Sequence, residues 1–105
     1  MSYTIDLQVI ADKLDFDLED VKMLIEVFLE GTEESLNNLK NAIQINDFDA
    51  IFRSAHAIKG SAANLTLSEI SNIAKEMEAN AREELEFNYQ DAYEKLKLLI
   101  NSISA

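Results

Sequence analysis

Apolar positions recur along this chain in alternating steps of three and four, in five separate runs. Leu7, Ile10, Ala11 and Leu14 share one face, which predicts a short helix from about Thr4 to Lys13. Asp17 then stands where an N-cap is needed, with Glu19 and Asp20 in the first turn, where the helix dipole favours acids. Phe16 and Val21 are placed to close that cap as a hydrophobic staple. Val21, Ile25, Phe28, Thr32, Ser35, Leu39 and Ala42 follow with the spacing of a bundle seam and predict one long helix to about Ile45. Gly31 falls off that seam and is expected to sit inside the helix; a break near Gly31–Thr32 is the competing expectation.

Asn46–Asp47 supplies a turn and the next cap. A third helix carries Phe48, Ile51, Ala55, Ile58, Ala62 and Leu65 on one side. At its end, "TLSE" reads as a capping box, with Thr66 as N-cap and Glu69 three residues on. The fourth helix buries Ile70, Ile73, Ala74, Met77 and Ala81. A polar stretch near Glu83 to Asn88 leads to the last helix, where Tyr89, Ala92, Leu96, Leu99 and Ile103 share a face. Four amphipathic helices with short connections predict an all-α fold. The arrangement expected is an antiparallel up-down-up-down four-helix bundle with a short extra N-terminal helix.

Composition supports this reading. The 105 residues suit a single domain spanning 1–105, and 48% hydrophobic content is enough to fill one core. There is no proline, and only two glycines, Gly31 and Gly60, so the strongest punctuation of turns and hairpins is missing. Without cysteine there is neither a disulfide nor thiolate chemistry. The start of the chain is not patterned as a signal peptide, and no apolar run approaches the roughly 20 residues of a membrane span. A soluble, cytoplasmic, monomeric protein is expected.

Net charge is −11, from 20 acids against 9 bases, which speaks against nucleic acid or anionic membrane as partners. Most of the acids read as solvated helix faces. Yet from Ala50 to Ser68 there is no acid, while Arg53 and Lys59 fall within that stretch and the chain's one histidine, His56, lies between them. Either the gap is chance, or it marks a place where phosphate or a carboxylate-rich partner is tolerated.

His56 lies about 100° around the third helix from Ala55, beside the core stripe and not within it. Phe52, Arg53, Lys59 and Gly60 are its neighbours one turn away. A glycine inside a helix costs roughly 1 kcal/mol relative to alanine and needs a reason. One is close approach of a neighbouring helix; the other is a surface cleared beside His56 for an approaching protein. The histidine itself is either an ordinary exposed side chain or a nucleophile. A free imidazole titrates near ~6.5 and is largely neutral at cellular pH. With no carboxylate near it in sequence to orient it as a general base, it suits covalent acceptance of a group. Lys59, read as a mobile point charge, suits a phosphoryl group.

"AHAIKGSAANL", residues 55–65, resembles the signature of histidine-containing phosphotransfer (HPt) domains, in which His-x-x-Lys-Gly precedes small residues. The similarity extends to "VKMLIEVFLEGTEESLNNLKNAI" before it and "IAKEMEANAR" after it, so it covers essentially the whole chain. The resemblance implies a phosphocarrier of a multistep two-component phosphorelay, without kinase or phosphatase activity of its own. On that reading His56 takes a phosphoryl group from a receiver-domain aspartate and passes it to another. Lys59 screens its charge and Gly60 gives the receiver access. Arg53, Ser61, Glu78 and Arg82 are candidate contacts to phosphate or partner; Glu78 and Arg82 alternatively form a plain surface ion pair. Response-regulator receiver domains are the implied partners, with a hybrid sensor histidine kinase as a further one. No cofactor or metal site is expected here, because the assisting Mg²⁺ belongs to the receiver. Thr66 departs from the pattern: family members often have glycine there, and the capping box offers another way to make the turn.

Other chemistries fit poorly. One histidine and no cysteine exclude most zinc sites. "DFDLED" with Glu26 imitates a calcium loop, but Asp20 stands where its glycine is required. The remaining rival is a phosphate-independent acidic bundle that docks a receiver or another helical protein with His56 dispensable.

Overall fold

A computed structural model describes residues 5–103. They form five helices: α1 (Leu7–Leu14), α2 (Leu18–Gln44), α3 (Phe48–Asn64), α4 (Ser68–Arg82) and α5 (Tyr89–Asn101). Each of α2, α3 and α4 packs on the next, and α5 packs back on α2, so the four longer helices close a ring around one core. The short α1 lies against α2. Ile5 and Ile103 meet in an isolated parallel bridge that ties the two ends of the described chain together. None of these helices is long and apolar enough to cross a membrane.

The heptad-like stripes are what the core is made of. Val21, Ile25 and Leu39 of α2, Ile51, Ala55, Ile58 and Ala62 of α3, Ala74 and Met77 of α4, and Leu96 of α5 are almost completely withdrawn from water. Leu36 joins this set, whereas Ser35, expected on the seam, is only half buried. Gly31 interrupts nothing: α2 runs through it, on an exposed face where an added Cβ would meet no atom within 4 Å.

The expectations at the first two helix starts hold only in part. Helix α1 begins at Leu7 behind the Asp6 cap, whose side chain accepts from the Gln8 amide at 2.9 Å; Thr4 lies outside the described residues. Asp17 holds the N-cap position of α2 without a side-chain hydrogen bond. Phe16 stays 50% exposed while Val21 is fully buried, so the pair does not form a buried staple. By contrast, Asp47 caps α3 through the Ala50 amide and Asn88 caps α5 through the Asp91 amide.

The turns are made without glycine. Asp15, Asn46, Thr66 and Glu84 each adopt a left-handed backbone, with φ between 53° and 60°. In each case the following amide reaches the carbonyl five residues back: Phe16 to Ala11, Asp47 to Ala42, Leu67 to Ala62 and Leu85 to Asn80. This is the Schellman closure, which satisfies the orphan carbonyls at a helix end. It overturns the capping box at "TLSE". Thr66 is the left-handed residue that ends α3, not the N-cap of α4, a position held by Leu67. Asn and Asp tolerate this conformation; a β-branched threonine does so at a cost. Moreover, Thr66 Oγ1 is buried without a hydrogen-bond partner among the described residues.

Thr66→Gly is therefore expected to stabilise the domain. Relief of left-handed strain, about 1–2 kcal/mol, and removal of an unpaired hydroxyl outweigh the entropy cost of glycine, leaving a net gain of about 1 kcal/mol. Thermal unfolding checks this: Tm should rise by about 5 °C. An unchanged or lowered Tm would show that the turn is not strained.

Candidate functional site

Helix α3 buries one side in the core and presents His56 on its flank, with the imidazole side chain 61% exposed. What braces that ring comes from α4. Glu78 projects from α4 into the α3–α4 seam, where its side chain is only 5% exposed. Its Oε1 lies 3.2 Å from His56 Nδ1 and its Oε2 lies 2.8 Å from Lys59 Nζ. Arg82, one turn further along α4, places Nη2 3.4 Å from the same Oε1. Ser71 adds a clamp between the two helices by donating to the Lys59 carbonyl at 3.2 Å. Glu78 is thus a buried hub that meets three more exposed side chains, and not half of a plain surface pair.

Burial pushes the Glu78 carboxyl up. The Lys59 ammonium and the His56 ring, by hydrogen bonding and charge, outweigh that and hold it below its ordinary value of 4.5. Glu78 is consequently a carboxylate at neutral pH, with lone pairs only. A ring nitrogen facing it must carry a proton, so in the neutral ring Nδ1 is the N–H donor and the lone pair falls on Nε2. The absence of acids around His56 in the sequence therefore misled: a carboxylate 22 positions away orients the ring.

Two further expectations change. Lys59 is not a mobile point charge; its side chain is 29% exposed and its ammonium is engaged by Glu78. Nor does the acid-free stretch from Ala50 to Ser68 lie apart from acids in space, because Arg53 pairs with Asp49 at 3.0 Å and Lys59 with Glu78. Ser61 is exposed on α3, and nothing brings Arg53 into the Glu78 cluster, since its pair with Asp49 lies on the solvent face.

Gly60 is resolved in favour of an open surface. A Cβ built there would meet no atom within 4 Å, so close approach of a neighbouring helix does not explain the glycine. On the other side of His56, Phe52 stacks on the imidazole with ring centroids 5.9 Å apart and planes 16° apart. The Arg82 guanidinium carbon stands 5.1 Å from the centroid of the same phenyl ring. Sequence reasoning placed Phe52 one turn from His56 but gave it no role; an aromatic four residues before an exposed histidine was the available signal.

An all-helical bundle that exposes a histidine ring, braces its Nδ1 on a buried carboxylate and leaves open space at the neighbouring glycine is the class of site defined here. The family model described as the Hpt domain matches residues 23–105, and the chain belongs to that family. Its function is histidine phosphotransfer in a phosphorelay, and proteins of this family are phosphocarriers that work with receiver domains of response regulators. In fold the chain is similar to the crystal structure of histidine-containing phosphotransfer protein B (HptB) from Pseudomonas aeruginosa PAO1. The TM-score is 0.79 at 24% identity, covering 96% of this chain and 88% of that one. A search of the curated proteins finds no match.

Proposed function

We propose that His56 is the phosphoacceptor and that Nε2 is the atom that carries the phosphoryl group. The observation that carries this reading is the Nδ1–Glu78 contact on a ring whose other edge faces solvent. In the transfer, the Nε2 lone pair attacks the phosphorus of a receiver's aspartyl phosphate along the line of the leaving oxygen. The N–P bond forms, the P–O bond to the aspartate breaks, and the carboxylate leaves. The Nδ1 proton stays in place, so no base is needed. The ring gains positive charge, which the Glu78 carboxylate stabilises. Lys59 keeps Glu78 ionised and remains a cation one turn from the phosphoryl group, while Arg82 is the candidate direct contact. Arg53 and Ser61, both exposed on α3, are the candidate further contacts to phosphate or receiver.

The same reading extends to the whole chain: one domain over 1–105, built as an antiparallel up-down-up-down four-helix bundle with α1 added to it. The short connections and the ring of neighbouring helices support this. The carrier acts as a cytoplasmic monomer without kinase or phosphatase activity of its own, between receivers and a hybrid sensor histidine kinase. The Mg²⁺ assisting transfer belongs to the receiver, because Glu78, the carboxylate at His56, is already met by Lys59, His56 and Arg82.

Phosphorylation with phosphoramidate followed by nitrogen-15 NMR of the histidine ring tests the assignment. The expected product carries phosphorus on Nε2 and a proton on Nδ1; phosphorus on Nδ1 would contradict it. Gly60 gives an independent check on access. Gly60→Ala should stabilise α3 by about 1 kcal/mol, since helical alanine is preferred and the Cβ has room. Gly60→Gln should fold equally well yet weaken receiver binding by about tenfold, ~1.4 kcal/mol, as read by titration calorimetry. Unaltered binding with glutamine at this position would remove the proposed reason for the glycine.

A further inference from the structure

We propose that Phe52 is a positioning residue for phosphoryl transfer: its ring holds both the His56 imidazole and the Arg82 guanidinium, keeping that cation beside the nucleophile. This rests on the reading of His56 as phosphoacceptor. Three observations carry it. Phe52 and His56 are stacked, with planes 16° apart, four residues apart on one helix. Arg82, from the neighbouring helix, sits 5.1 Å from the centre of the same phenyl ring. Its other hold among the described residues is a long 3.4 Å contact to Glu78 Oε1, the oxygen that His56 Nδ1 also uses.

The consequence follows from how charge moves in the reaction. Before transfer, Glu78 Oε1 is shared between a neutral imidazole N–H and the Arg82 fork. Once Nε2 is bonded to phosphorus the ring is cationic, so its Nδ1–H claims that oxygen more strongly. The new phosphoryl oxygens then offer Arg82 better acceptors, which its planar fork can meet in bidentate fashion. Arg82 exchanges one anion for the other. A guanidinium that is 63% exposed would spend much of its time elsewhere in solvent without a second anchor. The phenyl ring is that anchor, because attraction of a cation to an aromatic face does not depend on which anion the fork holds. Phe52 thereby confines Arg82 to the neighbourhood of His56 in both states.

The test measures the rate at which phosphoramidate phosphorylates the intact protein at low and at raised salt. In this reaction the P–N bond of the donor breaks, ammonia leaves, and the bond from His56 Nε2 to phosphorus forms. The donor is anionic, so a cation confined in the neighbourhood of His56 accelerates its capture in a salt-sensitive way. Phe52→Leu, which keeps an apolar side chain but removes the π face, should slow the reaction roughly threefold to fivefold and flatten its salt dependence. Phe52→Tyr should restore both. Arg82→Met should slow it at least as much, and adding Phe52→Leu to Arg82→Met should cost nothing further, because Phe52 acts through Arg82. Additive losses in the double variant, or a Phe52→Leu rate equal to wild type, would overturn the proposal while leaving His56 as acceptor. A wild type that forms no adduct at all would overturn both. Thermal melts of every variant identify any loss that comes from unfolding; if Phe52→Leu is unfolded at the assay temperature, the Phe52→Tyr and Arg82→Met rates decide the matter at equal helicity.

Discussion

His56→Gln is expected to abolish phosphoryl acceptance completely while leaving the fold and the docking surface intact. Glutamine preserves a polar group that can meet Glu78, but its amide nitrogen has no lone pair available for attack on phosphorus. The imidazole side chain is 61% exposed and contributes nothing to the core, so the change in unfolding free energy should stay within about 0.5 kcal/mol. Receiver binding should likewise persist, since access depends on the open surface around Gly60 and not on the ring itself. Intact mass spectrometry at neutral pH, combined with thermal unfolding and a binding titration, reads all three. A variant that still accepted phosphate would place the acceptor elsewhere.

Lys59→Met should have the largest effect on stability. Methionine keeps the apolar stem of the side chain but removes the ammonium at 2.8 Å from Glu78 Oε2. The carboxylate, 5% exposed, is then left with only the longer contacts to His56 and Arg82. Stranding a buried charge costs more than losing an exposed ion pair, and a loss of about 2 kcal/mol at neutral pH is expected. Its pH dependence has a definite sign. In wild type the Glu78 carboxyl titrates below 4.5, so its contribution is present above that value and is lost as pH falls through the lowered one. With Lys59 gone, the effect of burial prevails and the carboxyl titrates higher. The stability gap between the two proteins should therefore be full at pH 7 and close on acidification, as both come to bury a neutral acid. Denaturant melts between neutral and acidic pH check this. A gap that stays constant would mean that Lys59 acts through packing alone. Adding Glu78→Gln to Lys59→Met should recover part of the loss, since the stranded charge is gone.

The parts of this molecule legible in the sequence are those fixed by periodicity within one helix. Ile51, Ala55, Ile58 and Ala62 define the buried side of α3, and that places His56 on its flank; Gly60 stayed between close helix approach and open surface until the space around it was known. The long helix through Gly31 was the reading favoured over a break at Gly31–Thr32, because no seam position is lost there. What depended on how two helices face each other was not legible. The contact from Glu78 to His56 spans 22 positions and requires the rotation of α4 against α3, which neither helix encodes locally. Resemblance to a family pointed to Glu78 and Arg82, yet not to the burial that makes Glu78 a hub. At Thr66 two local codes competed for one residue. A threonine followed three positions later by a glutamate satisfies the rule for an N-cap. The carbonyls of Ala62 and Ala63 at the end of α3 needed partners, and the Leu67 and Thr66 amides supply them only if Thr66 turns left-handed. Closing the preceding helix prevailed over capping the next.

Phosphoryl transfer from a phosphorylated receiver domain with Mg²⁺, followed by intact mass and acid treatment, tests the central claim most directly. The account predicts one acid-labile phosphoryl adduct on the wild-type chain, a matching loss from the receiver, and none on His56→Gln. An adduct on His56→Gln, or none on wild type despite measurable receiver binding, would contradict it.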